Sequence, residues 1–223
     1  MKKKKSRSAY LAGVSLLVLF ILWTVLVRFV DVQAIGPEGS RVGFATLNGA
    51  IHRLIGVHMP LYVITDWLSL VPIFLVMGFA LLGLLQWIRR GHLWNVDADI
   101  LLLGGFYILV MALYLLFEVV VINERPVLIE GVLETSYPSS TTMLVMCVMP
   151  TAVMEWRARI KKDALRRWGS AVMIVFGGFM VIGRLASGVH WFTDIIGGAL
   201  LSVGLVLTFR AILTRRLKQR SGE

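Results

Sequence analysis

The stretch RLASGVHWFTDIIGG, residues 184–198, puts an arginine, a histidine and an aspartate into otherwise strongly apolar surroundings. His190 and Asp194 are four residues apart, so on a helix they share one face. An aspartate that accepts the Nδ1 proton orients the imidazole and leaves Nε2 free to attack. Arg184 stays charged at any relevant pH, and its planar fork matches phosphate oxygens. Two further stretches carry compatible chemistry. NERP (123–126) supplies Arg125, and SYPSSTT (136–142) supplies hydroxyls ahead of another apolar run. Ser139 and Ser140 open that run, where backbone N–H groups at a helix start bind anions. Cationic forks, hydroxyls and an oriented imidazole together suit the spread charge of a transferring phosphoryl group. Taken singly, each residue also has a plainer role. Either arginine could snorkel to lipid headgroups, His190 could sit at an interface, and Asp194 could cap a helix or pair with the histidine.

Convergence depends on the elements that carry these stretches. Hydrophobic residues make up 57% of the 223 positions, more than a soluble domain carries, and long uncharged runs mark an integral membrane protein. A ruler of about 20 apolar residues picks out six spans: Tyr10–Val30, Trp67–Ile88, Ile100–Ile122, Thr141–Trp156, Trp168–Leu185 and Trp191–Leu213. The fourth is short and contains Pro150. Trp87, Trp156, Trp168 and Trp191 fall at span ends, where amphipathic rings prefer to sit. The first span is longer than a signal-peptide core, and no small-residue cleavage site follows it, so it reads as retained.

Of the 23 Lys and Arg residues, eighteen fall in the N-terminal tail, the loops after the second and fourth spans, and the C-terminal tail. The positive-inside rule makes that side cytoplasmic and puts both termini there. All three chemical stretches then meet the opposite, outer face. The net charge of +10 belongs to this topology, since no interleaved aromatic and basic surface for nucleic acid is present. The lone Cys147 excludes an intramolecular disulfide and lies in an apolar run, where it packs.

Between the first two spans, Phe44, Leu47, Ile51, Leu54 and Ile55 recur at helical spacing. They predict an amphipathic helix in the interface, serving as a structural collar or admitting lipid to the site. The expected fold is all-α: a six-span bundle with one extra interfacial helix. It forms one domain, 1–223, with basic tails at 1–9 and 214–223 and an outer segment at 31–66.

The chain resembles the phosphatidic acid phosphatase type 2 superfamily of membrane lipid phosphatases. That family's first motif is a lysine, six residues and Arg-Pro. Its second is Pro-Ser-Gly-His. Its third is Ser-Arg, five residues, His, three residues, Asp. Arg125-Pro126 matches the end of the first, Pro138-Ser139 the start of the second, and Arg184, His190 and Asp194 the third at full spacing. The resemblance implies that His190 forms a phosphohistidine, that Asp194 orients it, and that Arg125, Ser139 and Arg184 hold the phosphate; Ser140 joins them as a phosphate-binding candidate from its place at the helix start. It implies no metal or other cofactor. The partners are the bilayer and a lipid phosphate or diphosphate. The short chain and basic inner loops fit a bacterial plasma membrane.

Three positions depart from the pattern. Glu118 stands at the lysine position, Ser140-Thr141 replaces Gly-His, and Gly183 replaces the serine. The family histidine protonates the leaving group, which a threonine hydroxyl is too weak an acid to do. Losing that acid should cost about 10²–10⁴ in rate when an alcohol leaves. A leaving phosphate, with a second pKa of roughly 6, departs as a stable anion. These changes favour a lipid diphosphate, plausibly polyprenyl. They also leave open a lipid phosphotransferase, a monophosphatase, or a non-hydrolytic lipid-phosphate binder or transporter. Substitute acids are His52, His58, Glu118, Glu124, Glu130 and Glu134.

Overall fold

The computed structural model describes residues 2–221. Met1, Gly222 and Glu223 lie outside it, as do the side chains of residues 2–5 and 217–221, and with them part of both basic tails. The described residues form eight α-helices: α1 (Lys2–Phe29), α2 (Ala45–Ile55), α3 (Met59–Leu68), α4 (Leu70–Arg90), α5 (Ala98–Val119), α6 (Ser140–Arg159), α7 (Asp163–Ala186) and α8 (Phe192–Ser221). Isolated bridges such as Glu124 to Thr135 are the only extended pairing among the described residues.

Five segments are long and apolar enough to cross a membrane: Ser6–Phe29, Met59–Arg90, Ala98–Val119, Asp163–Ala186 and Phe192–Arg216. Their outward faces carry large apolar side chains such as Phe74, Ile88, Ile108, Val175 and Ile182. Such a surface suits lipid, where a helix satisfies its own backbone polar groups. The remaining long helix, α6, differs. It carries Thr141, Thr142, Thr151 and Glu155, all buried, and packs against α7 and α8. Its polarity keeps it below the hydropathy of the other five, and its neighbours shield it from lipid. Pro150 lies inside α6 without ending it.

The second predicted span begins earlier than expected. Helix starts at Met59, and α3 joins α4 through Ser69, whose hydroxyl donates to the Asp66 carbonyl. The predicted interfacial helix is α2, and its faces are assigned. Leu47 and Leu54 point outward, whereas Ala45 and Asn48 are buried against the bundle. Asn48 donates from Nδ2 to Thr193 Oγ1 at 2.9 Å, pinning α2 to the first turn of α8.

α1 and α8 run antiparallel along most of their length. Ser6 Oγ donates to the Ala211 carbonyl at one end, and Trp23 Nε1 donates to the Thr193 carbonyl at the other. The start of α1 therefore lies beside the end of α8, and the start of α8, with Asp194, lies at the opposite end. Trp191 does not sit at an interface as its position suggested. It is buried, donates from Nε1 to the Glu124 carbonyl at 2.7 Å and packs against His52. Cys147 is buried in the main apolar cluster.

Candidate active site

Two non-helical segments and the start of one helix meet where α3, α5, α6 and α8 come together. The α7–α8 turn brings His190, the 120–139 segment brings Arg125 and Ser136, and the start of α6 brings Ser140 and Thr141. Gly197 lets α8 approach closely, since a Cβ there would stand 2.6 Å from the Tyr137 ring. The Ser139 backbone N–H donates to the Asp194 carbonyl at 3.1 Å, tying the start of α6 to α8.

His190 and Asp194 are buried, with 3% and 0% of their surfaces exposed. Arg125 Nη1 lies 3.2 Å from His190 Nε2. Asp194 Oδ2 accepts from the Trp191 backbone N–H at 2.8 Å, so it caps the first turn of α8 while facing the histidine. His190 Nδ1 is 3.8 Å from Asp194 Oδ2, beyond direct hydrogen-bond reach. Ser136 occupies the gap. Its Oγ is 3.0 Å from His190 Nδ1 and donates to Asp194 Oδ2 at 2.5 Å. Burial, with Arg125 and Arg184 nearby, pushes the His190 ring well below its ordinary pKa and so favours the free base.

A cavity of about 650 Å³ opens beside this cluster. Arg125, Arg184, Ser140, Thr141, Glu118 and Glu134 are on its wall. Both arginines are already paired. Arg125 Nε is 2.9 Å from Glu134 Oε2, and Arg184 Nη2 is 3.1 Å from Asp66 Oδ1. The Tyr62 ring lies beneath both guanidinium groups, 4.8 Å from Arg184 and 5.9 Å from Arg125. A smaller recess joins Ser140, Glu118 and Ser136 to His190. The main cavity shares Val76, Tyr107 and Met111 with an apolar groove of about 560 Å³ between α4 and α5.

The predicted site residues divide by position. Arg125, Arg184, His190 and Asp194 come together, and Ser140 and Thr141 face the cavity. Ser139 is fully buried, and its Oγ accepts from the Thr142 N–H as the cap of α6. Its side chain thus faces the helix rather than the cavity. Glu118 lines the cavity and accepts from Thr135 Oγ1 at 2.9 Å. Among the substitute acids, Glu118 and Glu134 reach the cavity wall, whereas His52, His58, Glu124 and Glu130 are not on it. Gly183, at the family serine position, is explained by packing: a Cβ there would meet Thr65 Cγ2 at 2.8 Å.

A family model described as the PAP2 superfamily matches residues 73–218. The chain belongs to the PAP2 superfamily. The matched span holds Arg125, Ser140, Arg184, His190 and Asp194 together. A solved structure, described as the first transmembrane PAP2-type phosphatidylglycerolphosphate phosphatase from Bacillus subtilis, has the same fold. The two agree with a TM-score of 0.55 and 21% identity, over 93% of this chain and 96% of that one. No curated protein matches the chain in sequence. Asp66, Tyr62 and Ser136 were not singled out from sequence, and Glu134 was named only as a substitute acid, not as a partner of Arg125. Ser136 had the one available signal, as a hydroxyl two residues before Pro138.

Proposed function

We propose that this PAP2 protein is an integral membrane lipid phosphatase that works through a phosphohistidine at His190. The observation that carries the reading is the convergence of Arg125, from one segment, on His190, from another, at 3.2 Å beside a cavity that also holds Arg184. A neutral, buried imidazole next to two guanidinium groups has the composition of a phosphoryl-transfer site.

In the first step the Nε2 lone pair attacks phosphorus. A P–N bond forms, the bond from phosphorus to the leaving oxygen breaks, and that oxygen leaves with the electron pair. Arg125 and Arg184 exchange their carboxylate partners for the phosphoryl oxygens and neutralise the developing charge. In the second step water attacks phosphorus. The P–N bond breaks, the electron pair returns to His190, and the water proton is released with inorganic phosphate.

Substrate choice follows from Thr141. Its side chain is on the cavity wall where the family has its general acid. A leaving phosphate needs no proton at departure, whereas a leaving alkoxide does. The reading is therefore a lipid diphosphatase whose polyprenyl tail occupies the apolar groove between α4 and α5. The site lies at the end of the bundle opposite the start of α1 and the end of α8. Combined with the basic tails, this supports an outer-face site, six spans and cytoplasmic termini in a bacterial plasma membrane. The Bacillus subtilis protein's printed activity makes a lipid monophosphate the competing substrate class.

Phosphate release by detergent-purified protein, from a lipid diphosphate and its matching monophosphate, tests the reading. Faster release from the diphosphate, abolished in H190A, is expected. Equal turnover of both overturns the substrate assignment. No release from either, with binding intact, would favour a lipid-phosphate binder.

A further inference from the structure

Ser136 lies outside the three motifs that identify the family, yet it stands between the two residues of the third that do the chemistry. It is 3% exposed, and its backbone N–H is anchored to the Asn123 carbonyl at 2.9 Å. The hydrogen-bond inventory around it admits one arrangement. A guanidinium has donors only, so at 3.2 Å from Arg125 Nη1 the His190 Nε2 is an acceptor. A neutral ring with a bare Nε2 carries its proton on Nδ1. A serine hydroxyl has one hydrogen, and Ser136 gives it to Asp194 Oδ2 at 2.5 Å. Its lone pair, 3.0 Å from His190 Nδ1, therefore accepts the ring proton. Asp194 is 3.8 Å from that nitrogen and cannot do so from where it stands.

We infer that Ser136 is a positioning residue that links Asp194 to His190 and aims Nε2 at the phosphoryl group. The chain runs His190 Nδ1–H to Ser136 Oγ, then Ser136 O–H to Asp194. Asp194 is itself fixed by the Trp191 N–H at 2.8 Å. When Nε2 bonds to phosphorus the ring becomes cationic. The same chain then lets the carboxylate stabilise that charge through one hydroxyl, with no net proton transfer. The inference rests on His190 as nucleophile only for its kinetic consequence. The hydrogen-bond chain itself stands on geometry.

The test compares S136A and S136T with the parent protein. Misaiming a reacting atom costs up to about 100-fold. S136A should lower kcat about 10- to 100-fold with KM unchanged, since Ser136 is not placed to bind phosphate. S136T, which restores the hydroxyl, should recover most of the rate. A second readout needs no turnover. In detergent, the His190 Nδ1 proton should give a downfield, slowly exchanging resonance in the parent and in S136T. It should be missing in S136A and in H190A, which assigns it. Parent-like kcat and an unchanged resonance in S136A would overturn the inference, because Asp194 would then reach the ring directly. An inactive parent protein that keeps the resonance would defeat the phosphatase reading and leave Ser136 in place.

Discussion

Arg125 Nη1 lies 3.2 Å from His190 Nε2, so in the resting protein the proposed nucleophile is covered by the guanidinium proposed to hold the phosphate. Glu134 holds that guanidinium from the other side, with Oε2 2.9 Å from Arg125 Nε. Phosphate must displace both contacts. The Glu134 side chain is 42% exposed, so its pair is worth no more than about 1 kcal/mol. E134Q is therefore expected to tighten KM by up to about fivefold, with kcat little changed. A weaker KM would mean that Glu134 orients Arg125 productively instead of competing for it.

The His190 ring is held below its ordinary pKa by burial and by the two arginines. In the proposed mechanism the neutral ring is the nucleophile, so lowering its pKa preserves activity to lower pH. After correction for substrate ionisation, kcat/KM should stay level as pH falls through the usual imidazole range of about 6.5 and decline only below it. The same shift makes the unfolded state bind the proton more readily. His190 therefore contributes stability that is present above about 6.5 and is lost as pH falls further. A pH–rate profile with its acid limb centred at or above that value would show a ring that is not buried beside the arginines.

Restoring the family acid should change substrate preference. T141H is expected to raise monophosphate turnover, by up to about 10²–10⁴, far more than diphosphate turnover. Parallel phosphate-release assays on the two substrates give the ratio. An equal gain on both would show that leaving-group protonation does not distinguish them.

Gly183 makes a purely structural prediction. Its missing Cβ leaves room for Thr65 Cγ2, which would otherwise stand at 2.8 Å. G183S, although it recreates the family residue, should destabilise by about 1–3 kcal/mol through overpacking. Pairing it with T65S, which removes the methyl, should recover the loss. Thermal unfolding in detergent measures both, and an unaltered midpoint in G183S would mean that α3 shifts freely.

The parts of the site legible in sequence were those written at short range. His190 and Asp194 announce a shared helical face, and the apolar runs announce the helices that carry them. The rest depends on contacts between distant residues, which local pattern does not encode. Asp66 reaches Arg184 across 118 positions, and Ser136 reaches His190 across 54. Trp191 looked interfacial because aromatic residues at span ends usually are, but its indole found the Glu124 carbonyl inside the bundle. Helix α6 marks the same boundary from the other side. Its polar residues blur a hydropathy signal, and only packing against α7 and α8 explains why they are tolerated. Ser139 was read as a phosphate ligand from its place at a helix start, and that same place makes it the cap.

The most direct measurement is chemical trapping of the covalent intermediate. Purified protein is mixed with a lipid diphosphate labelled in its terminal phosphate, quenched in base, where phosphohistidine survives, and mapped by peptide mass spectrometry. The expected result is label on His190, absent in H190A and reduced in R125A and R184A. Phosphate release with no label on His190, or with label elsewhere, would contradict nucleophilic catalysis by this histidine.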